Sequence, residues 1–173
     1  VYDRIVFDND HVSFVGCDNE RVILINSFSK TYAMTGWRIG YILSANKEAM
    51  SQMIKMQYYI TACSNDAMQY AVLAAINEAD DYPDEMCAEF KARRDLICTR
   101  LNAMPGVQCH IPEGAFYVFP KVDVPGMTSE EVAMELLRGG VLCSPGSAFG
   151  PSGEGHLRFA YTISREEISK GMD

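Results

Sequence analysis

The feature that most constrains this chain is the run of fifteen residues at positions 27–41. A single lysine, Lys30, follows an apolar stretch and two serine hydroxyls, and Arg38 lies eight residues further along, between Gly36 and Gly40. A lysine amine can condense with an aldehyde, whereas hydroxyls and a planar guanidinium hold a phosphate through charge-assisted hydrogen bonds. The two glycines permit turns and close backbone approach that a Cβ would hinder. The run therefore predicts a site for a phosphorylated aldehyde cofactor.

Composition and charge argue against several other classes of protein. Of the 173 residues, 48% are hydrophobic and 22% are charged, which is typical of a globular chain with a sizeable core. The net charge of −8 argues against binding to nucleic acid or to an anionic membrane, because both require a basic face. The sequence has neither a membrane-spanning apolar run nor a signal-peptide pattern, so we expect a cytoplasmic protein. The six cysteines form no C-x-x-C pair and the three histidines are scattered, which favours reduced thiols and no metal site.

The first part of the chain alternates strand and helix patterns. Residues 22–25 are apolar and mostly β-branched, which predicts a strand buried on both faces in a parallel or mixed sheet. The lysine run follows the C-terminal end of this strand, where open α/β sheets usually bind ligands. Residues 39–43 predict a second strand, and helices are expected from about Lys47 and over residues 66–79.

The second part begins after a polar break at residues 80–83. An amphipathic helix is expected from there to Leu101, because apolar residues recur at helical spacing on a charged background. Capping boxes predict two further helices, and three apolar runs predict strands: the boxes are Thr128 with Glu131 and Ser164 with Glu167, and the strands are residues 116–119, 141–143 and 157–161. The fold class is therefore α/β in two parts, with the long helix packed on a short sheet in the second part.

Residues 27–41 closely resemble the pyridoxal-phosphate lysine segment of the class I/II aminotransferases, the fold-type I group that resembles aspartate aminotransferase. The resemblance implies that Lys30 is the Schiff-base lysine and that Ser27 and Arg38 bind the phosphate of pyridoxal 5'-phosphate. It also implies that the sheet in the first part belongs to the large cofactor domain.

Two further matches concern the cofactor. Tyr2 fits the tyrosine of the family's Asp-x-x-Tyr motif, which hydrogen-bonds the cofactor's phenolic oxygen, and the aspartate would precede residue 1. Ser64, followed by an asparagine, resembles the serine that reaches the cofactor phosphate of the partner subunit. This match implies a homodimer.

Other matches concern the substrate. Residues 112–120 resemble the family's P-x-G-x-F-Y strand, in which Tyr117 has a polar tip that would face the substrate. Residues 145–160 resemble the segment that carries the substrate-carboxylate arginine, and Arg158 takes that position. Ile60 stands where the dicarboxylate-specific branch has an arginine, which argues against classical aspartate or glutamate specificity.

The resemblance implies a domain organisation and an activity. Residues 1–80 would be the C-terminal remnant of the large PLP-binding domain, and residues 81–173 the small C-terminal domain with the long interdomain helix. We expect a fragment whose missing N-terminal half supplies the glycine-rich phosphate loop, the stacking aromatic residue and an asparagine. The parent enzyme would transfer an amino group between an amino acid and a 2-keto acid, and the isolated chain would be inactive.

Two alternatives to transamination remain open from the sequence. The lysine segment is shared with PLP-dependent lyases and synthases on the same fold, which would release pyruvate and ammonia in an elimination reaction. A catalytically inert α/β domain is the other alternative. Its apolar faces, normally covered by the missing half, would drive self-association.

Overall fold

The computed structural model describes residues 1–17, 19–79 and 81–173. The chain divides into two compact units, Val1–Glu85 and Met86–Asp173, called unit 1 and unit 2 below. The predicted domain boundary at residue 80 falls on a residue outside the described ranges. The assignment of the two parts to a large and a small domain stays a prediction.

Among its described residues, unit 1 contains two strands and two complete α-helices, besides two single turns of 3₁₀ helix. Strands β1 and β2 pair in antiparallel fashion, with Ser27 opposite Gly40. Both helices begin with an asparagine whose side chain accepts a hydrogen bond from a backbone amide in the first turn, which satisfies a donor that the helix cannot pair internally. The elements are β1 (Leu24–Ser27), β2 (Gly40–Leu43), α1 (Lys47–Thr61) and α2 (Asp66–Glu78). The helices expected from Lys47 and over residues 66–79 are confirmed.

The burial predicted for both faces of the strand at residues 22–25 is wrong. Among the described residues, β1 has one neighbouring strand, β2, and the two pair in antiparallel fashion. The side chain of Ile25 is 68% exposed. A two-stranded ribbon has too little covering structure to bury both of its faces, so the apolar residues of this strand remain accessible.

Unit 2 contains short strands and three helices. Helix α3 begins at the end of unit 1 and continues into unit 2. One sheet pairs β3 with β5, and the other has the order β4-β7-β6, with antiparallel pairing throughout. The elements are α3 (Tyr82–Asn102), β3 (Val107–Gln108), β4 (Tyr117–Val118), β5 (Lys121–Val122), α4 (Ser129–Arg138), β6 (Ser144–Pro145), β7 (Leu157–Ala160) and α5 (Arg165–Gly171).

The core of unit 2 lies between α3 and the three-stranded sheet. The ring of Phe90 on α3 lies 5.3 Å from Phe116 and 6.3 Å from Tyr161, measured between ring centroids. Tyr161 is fully buried, and its hydroxyl donates a hydrogen bond of 3.0 Å to the carbonyl of Ala115. The prediction that the long helix packs on a short sheet is confirmed.

The helix ends of unit 2 follow the sequence signals closely. Both predicted capping boxes form, because each hydroxyl accepts from the backbone amide of the glutamate, whose side chain accepts from the cap amide. The strand predicted at residues 141–143 is wrong, since β6 begins at Ser144. Gly140 has a φ of +89°, and Val141 donates its amide to the carbonyl of Leu136 at 2.8 Å. This Schellman arrangement uses Val141 to close α4, so that residue cannot start a strand.

Two further findings concern membrane spans and cysteines. None of the helices that the structure describes is both long enough and apolar enough to cross a membrane. All six cysteines are free thiols. Cys98 and Cys109 are buried in unit 2, whereas Cys17 and Cys63 in unit 1 are exposed.

Candidate functional site

Lys30 lies in a tight turn directly after β1. The amide of Tyr32 donates to the carbonyl of Phe28 at 3.2 Å, and the amide of Ala33 donates to the carbonyl of Lys30 at 3.3 Å. The hydroxyl of Thr35 closes the turn by donating to the carbonyl of Ser29 at 3.0 Å. Lys30 itself is half-buried. These short-range bonds fix the backbone that carries the lysine.

Arg38 follows a single turn of 3₁₀ helix and has an unusual backbone. Its φ of 56° and ψ of 49° are left-handed, a conformation that costs a non-glycine residue on the order of 1 kcal/mol. The guanidinium donates from Nη1 to the carbonyl of Thr35 at 2.8 Å, and the side chain is otherwise exposed. Such strain is common at ligand sites, where the surrounding structure holds one side chain in a required direction.

A cavity of about 580 Å³ lies between the β1–β2 ribbon and α1. Ser27, Ser29, Arg38 and Ser64 all line it. The structure thus brings Ser27 and Arg38, the predicted phosphate ligands of this chain, together with Ser64, which the sequence predicted as a ligand of the partner subunit's cofactor phosphate. Among the described residues of its lining, Arg38 is the one charged side chain. Three serine hydroxyls and one guanidinium, with no carboxylate among the described lining residues, make this cavity suited to an anion.

Lys30 and Tyr2 are not among the described residues that line this cavity. Lys30 lies three residues after Ser27 in the adjoining turn, and Tyr2 accepts the amide of Ile5 at 2.9 Å near the start of the chain. A second cavity of about 290 Å³ shares Ser27 with the first. The predicted cofactor residues of unit 1 thus form one cluster of three, with Lys30 beside it and Tyr2 separate.

Arg158 is the centre of a second cluster, in unit 2. It lies on β7, where the strand register places it opposite Ser144 of β6. The guanidinium carbon Cζ lies 4.8 Å from the ring centroid of Tyr117 and 4.5 Å from that of Phe149. The structure therefore brings together the two predicted substrate residues, Arg158 and Tyr117, and adds a second aromatic ring.

A loop held by a buried serine carries Phe149. Glu154 accepts the amide of Ser129 at 2.7 Å and its hydroxyl at 3.0 Å, and these hydrogen bonds lower the pKa of the Glu154 carboxyl below its ordinary value. The hydroxyl of Ser129 in turn accepts the amide of Ser147 at 3.4 Å. Glu154 therefore ties one side of the loop to the start of α4, and the longer contact of Ser147 adds little.

Comparison with known proteins identifies the family of this chain. Residues 1–173 match the family model described as aminotransferase class I and II. The chain belongs to this aminotransferase family. The fold-type I resemblance identified from the lysine run is thereby confirmed.

Relatives of this aminotransferase chain carry several substrate names. It is 43% identical to a probable aspartate aminotransferase of Methanocaldococcus jannaschii, over 99% of this chain and 46% of the relative. It is 37% identical to aromatic-amino-acid aminotransferase 2 of Thermococcus litoralis, over 100% of this chain and 46% of the relative. The chain spans about half the length of the curated relatives it matches.

Solved aminotransferase structures share the fold. An aromatic aminotransferase from Pyrococcus horikoshii superimposes with a TM-score of 0.92 at 38% identity, covering 99% of this chain and 47% of that one. An aspartate aminotransferase from Thermus thermophilus with maleate gives a TM-score of 0.90 at 29% identity, covering 99% of this chain and 44% of that one. The fold class predicted from the sequence is confirmed as an α/β portion of the aminotransferase fold.

Two residues of this aminotransferase chain, Asn26 beside the phosphate cavity and Phe149 beside Arg158, were not predicted from the sequence. Asn26 is buried, donates to Asp3 at 3.1 Å and to the Tyr41 hydroxyl at 3.3 Å, and accepts the amide of Ser27 at 2.8 Å. A polar residue in an apolar strand was the available signal for it. For Phe149 the signal was weaker, an aromatic residue in a loop rich in glycine and serine.

Proposed function

We propose that this chain is the lysine-bearing half of a pyridoxal-phosphate-dependent aminotransferase, which exchanges an amino group between an amino acid and a 2-keto acid. The observation that carries the proposal is the single cavity lined by Ser27, Arg38 and Ser64, beside the turn that presents Lys30. Family membership supports it, and the relatives named above are all aminotransferases. Those names disfavour the lyase and synthase alternative.

The residues of unit 1 fit the cofactor's phosphate. Arg38 offers a planar, permanently charged donor group, and Ser27 adds a hydroxyl donor on the same cavity. Ser64 also lines the cavity, and its proposed role remains the one toward the cofactor phosphate of the partner subunit. Gly40 lets β2 lie close to the β1 strand that carries Ser27, because a Cβ there would lie 2.6 Å from the carbonyl oxygen of Asn26. When bound, the cofactor supplies an electron-withdrawing ring that stabilises negative charge at the α-carbon of the amino acid.

Each remaining residue has a distinct proposed task. The Nζ of Lys30 would hold the cofactor by its aldehyde carbon, with loss of water, and would be released when the amine of the amino acid takes its place. The freed Nζ would then move the proton from the α-carbon of the amino acid, as a general base and then acid. Arg158 takes the α-carboxylate, whose two oxygens match the guanidinium fork. Tyr117 lies beside that carboxylate position, and the hydroxyl of Tyr2 donates to the phenolic oxygen of the cofactor. We propose that the complete enzyme is a homodimer and that turnover requires the half absent from this chain.

Reductive trapping tests the proposal without requiring turnover. The purified chain is incubated with pyridoxal phosphate, treated with sodium borohydride to fix the cofactor on the lysine it occupies, and mapped by peptide mass spectrometry. We expect the adduct on Lys30, and its loss in Lys30→Ala. Lys55→Ala is the matched control, because Lys55 lies on α1 and not in the turn after Ser27 that carries Lys30.

Pyridoxal without its phosphate tests the cavity itself. Arg38→Ala should weaken trapping of pyridoxal phosphate and leave trapping of pyridoxal unchanged, because Arg38 is proposed to contact the phosphate alone. Labelling spread evenly over Lys30, Lys47 and Lys55 would contradict the proposed cofactor site. Equal losses for both aldehydes in Arg38→Ala would contradict the proposed role of that arginine.

A further inference from the structure

We propose that Phe149 is a positioning residue for Arg158. The ring of Phe149 holds the guanidinium of Arg158 in place for a carboxylate. That Arg158 binds a substrate carboxylate rests on the proposed function, whereas the contact between the Phe149 ring and the guanidinium does not. The Cζ atom of Arg158 lies closer to the centroid of Phe149, at 4.5 Å, than to that of Tyr117, at 4.8 Å. Both distances are well inside the range in which a cation is attracted to an aromatic face.

The hydrogen bond between Arg158 and Ser144 is too weak to fix the arginine side chain. The hydrogen bond from Nη2 to the hydroxyl of Ser144 measures 3.4 Å, beyond the usual range for a bond between nitrogen and oxygen. A guanidinium is planar and weakly hydrated, so it stacks readily on aromatic rings while its edge stays available to hydrogen-bond acceptors. Aromatic contacts can therefore set the plane of Arg158 without using the donors that a carboxylate needs.

The loop around Phe149 is built to hold that ring. Phe149 ends the 3₁₀ turn Gly146–Phe149, whose first residue donates its amide to the carbonyl of His156 at 2.8 Å. A Cβ on Gly146 would lie 2.0 Å from the carbonyl oxygen of Gly153, so this turn approaches the neighbouring backbone as closely as glycine permits. These two backbone contacts fix the position of the turn that carries Phe149.

Exposure argues against a purely structural role for Phe149. Its side chain is 52% exposed, unlike the core aromatics Phe116 and Tyr161, which are at most 8% exposed. Phe119 packs edge-to-face on Phe149 with 5.9 Å between ring centroids, and its other face stacks on His156. Phe119 therefore offers a matched control, because it supports the same cluster and is 40% exposed.

The test follows the Arg158 side chain by nuclear magnetic resonance of the nitrogen-15-labelled full chain. The Nε–Hε signal of Arg158 is assigned by its loss in Arg158→Lys. Ring currents from Phe149 should displace this signal, and Phe149→Leu should return it towards the position of a free arginine. Phe149→Tyr should restore the wild-type position, and Phe119→Leu should leave it largely unchanged.

Sodium acetate, with sodium chloride as the ionic control, then probes carboxylate binding. Loss of one exposed cation–π contact should weaken the acetate response of Arg158 by roughly two- to fivefold in Phe149→Leu. Backbone amide spectra report whether each variant is folded, and Phe149→Met replaces Phe149→Leu if that variant is not.

The outcomes separate this inference from the proposed function. An Arg158 signal that stays at its wild-type position in Phe149→Leu and Phe149→Met overturns the positioning role. If the ligand-free signal moves as expected but wild type gives no acetate response beyond that of chloride, the positioning role stands. The proposed use of Arg158 for the substrate carboxylate then fails instead.

Discussion

Gly40 and Gly36 lie in the same sequence motif, yet the structure predicts opposite effects of replacing them by alanine. A Cβ on Gly40 would lie 2.6 Å from the carbonyl oxygen of Asn26 and 3.2 Å from the Cβ of Ser27. Real Cβ atoms essentially never approach another heavy atom below 3.0 Å, and the carbonyl belongs to the paired strand. Gly40→Ala must therefore push β2 away from β1.

The magnitude follows from two opposing effects. Overpacking of this kind costs about 1–3 kcal/mol, and the reduced freedom of the unfolded chain returns about 0.4–1 kcal/mol. Gly40→Ala should thus lower the free energy of unfolding by about 1–2 kcal/mol. A Cβ on Gly36 would meet nothing within 4 Å, so Gly36→Ala should be stabilising by about 0.4–1 kcal/mol. Both substitutions reduce the freedom of the unfolded chain to the same degree. The difference between their free energies of unfolding therefore gives the cost of the clash at residue 40, about 1–3 kcal/mol.

Urea unfolding followed by tryptophan fluorescence measures this difference in unit 1. Trp37 is the chain's single tryptophan and lies between the two glycines. Displacement of Ser27 should also weaken trapping of pyridoxal phosphate in Gly40→Ala more than in Gly36→Ala. Equal stability of the two variants would refute the close approach of β2 to β1 on which the reasoning depends.

Two further predictions concern unit 2. The hydrogen bonds to Ser129 hold the pKa of Glu154 in the folded chain below its ordinary value of 4.5, so the unfolded chain is protonated at this carboxyl more readily. The stabilisation by the carboxylate is complete above pH 4.5 and is lost as the pH falls through the lowered pKa of the folded chain. Urea titrations between about pH 2 and 6 should show a steeper acid loss for wild type than for Glu154→Gln, and parallel curves would contradict the bond to Ser129. Tyr161→Phe removes the hydrogen bond to the Ala115 carbonyl and should lower the free energy of unfolding by about 0.5–1.5 kcal/mol. An unchanged urea midpoint for unit 2 would show that this bond contributes nothing.

Local signals in the sequence predicted the fold best where the interaction spans only a few residues. The two capping boxes form as expected, because hydroxyl and glutamate are three positions apart and need no other part of the chain. Arg38 and Ser27 similarly line one cavity, since residues 28–39 connect β1 directly to the strand that pairs with it. Features of this range are encoded almost completely by the residues themselves.

Features that depend on distant segments were not predictable in the same way. The sequence treats Gly36 and Gly40 alike, and only the pairing of β1 with β2 shows which of them is crowded. Burial of the strand at residues 22–25 depends on how many neighbouring strands cover it, which its own composition does not state. The contact of Phe149 with Arg158 joins a loop to a strand, so no local pattern indicates it.

The close approach of Gly146 and Gly153 restricts how this chain can diverge. A Cβ on either residue would lie within 2.1 Å of the other's carbonyl oxygen, so neither position can change singly without displacing backbone. Substitution of one of these glycines alone would therefore change the path of the loop that carries Phe149. Side chains at the outward positions Ser147 and Ala148 can instead be exchanged while the backbone beneath them stays the same. For a designer, these two positions are the ones to randomise, whereas the two glycines and Phe149, which contacts Arg158, are the ones to keep.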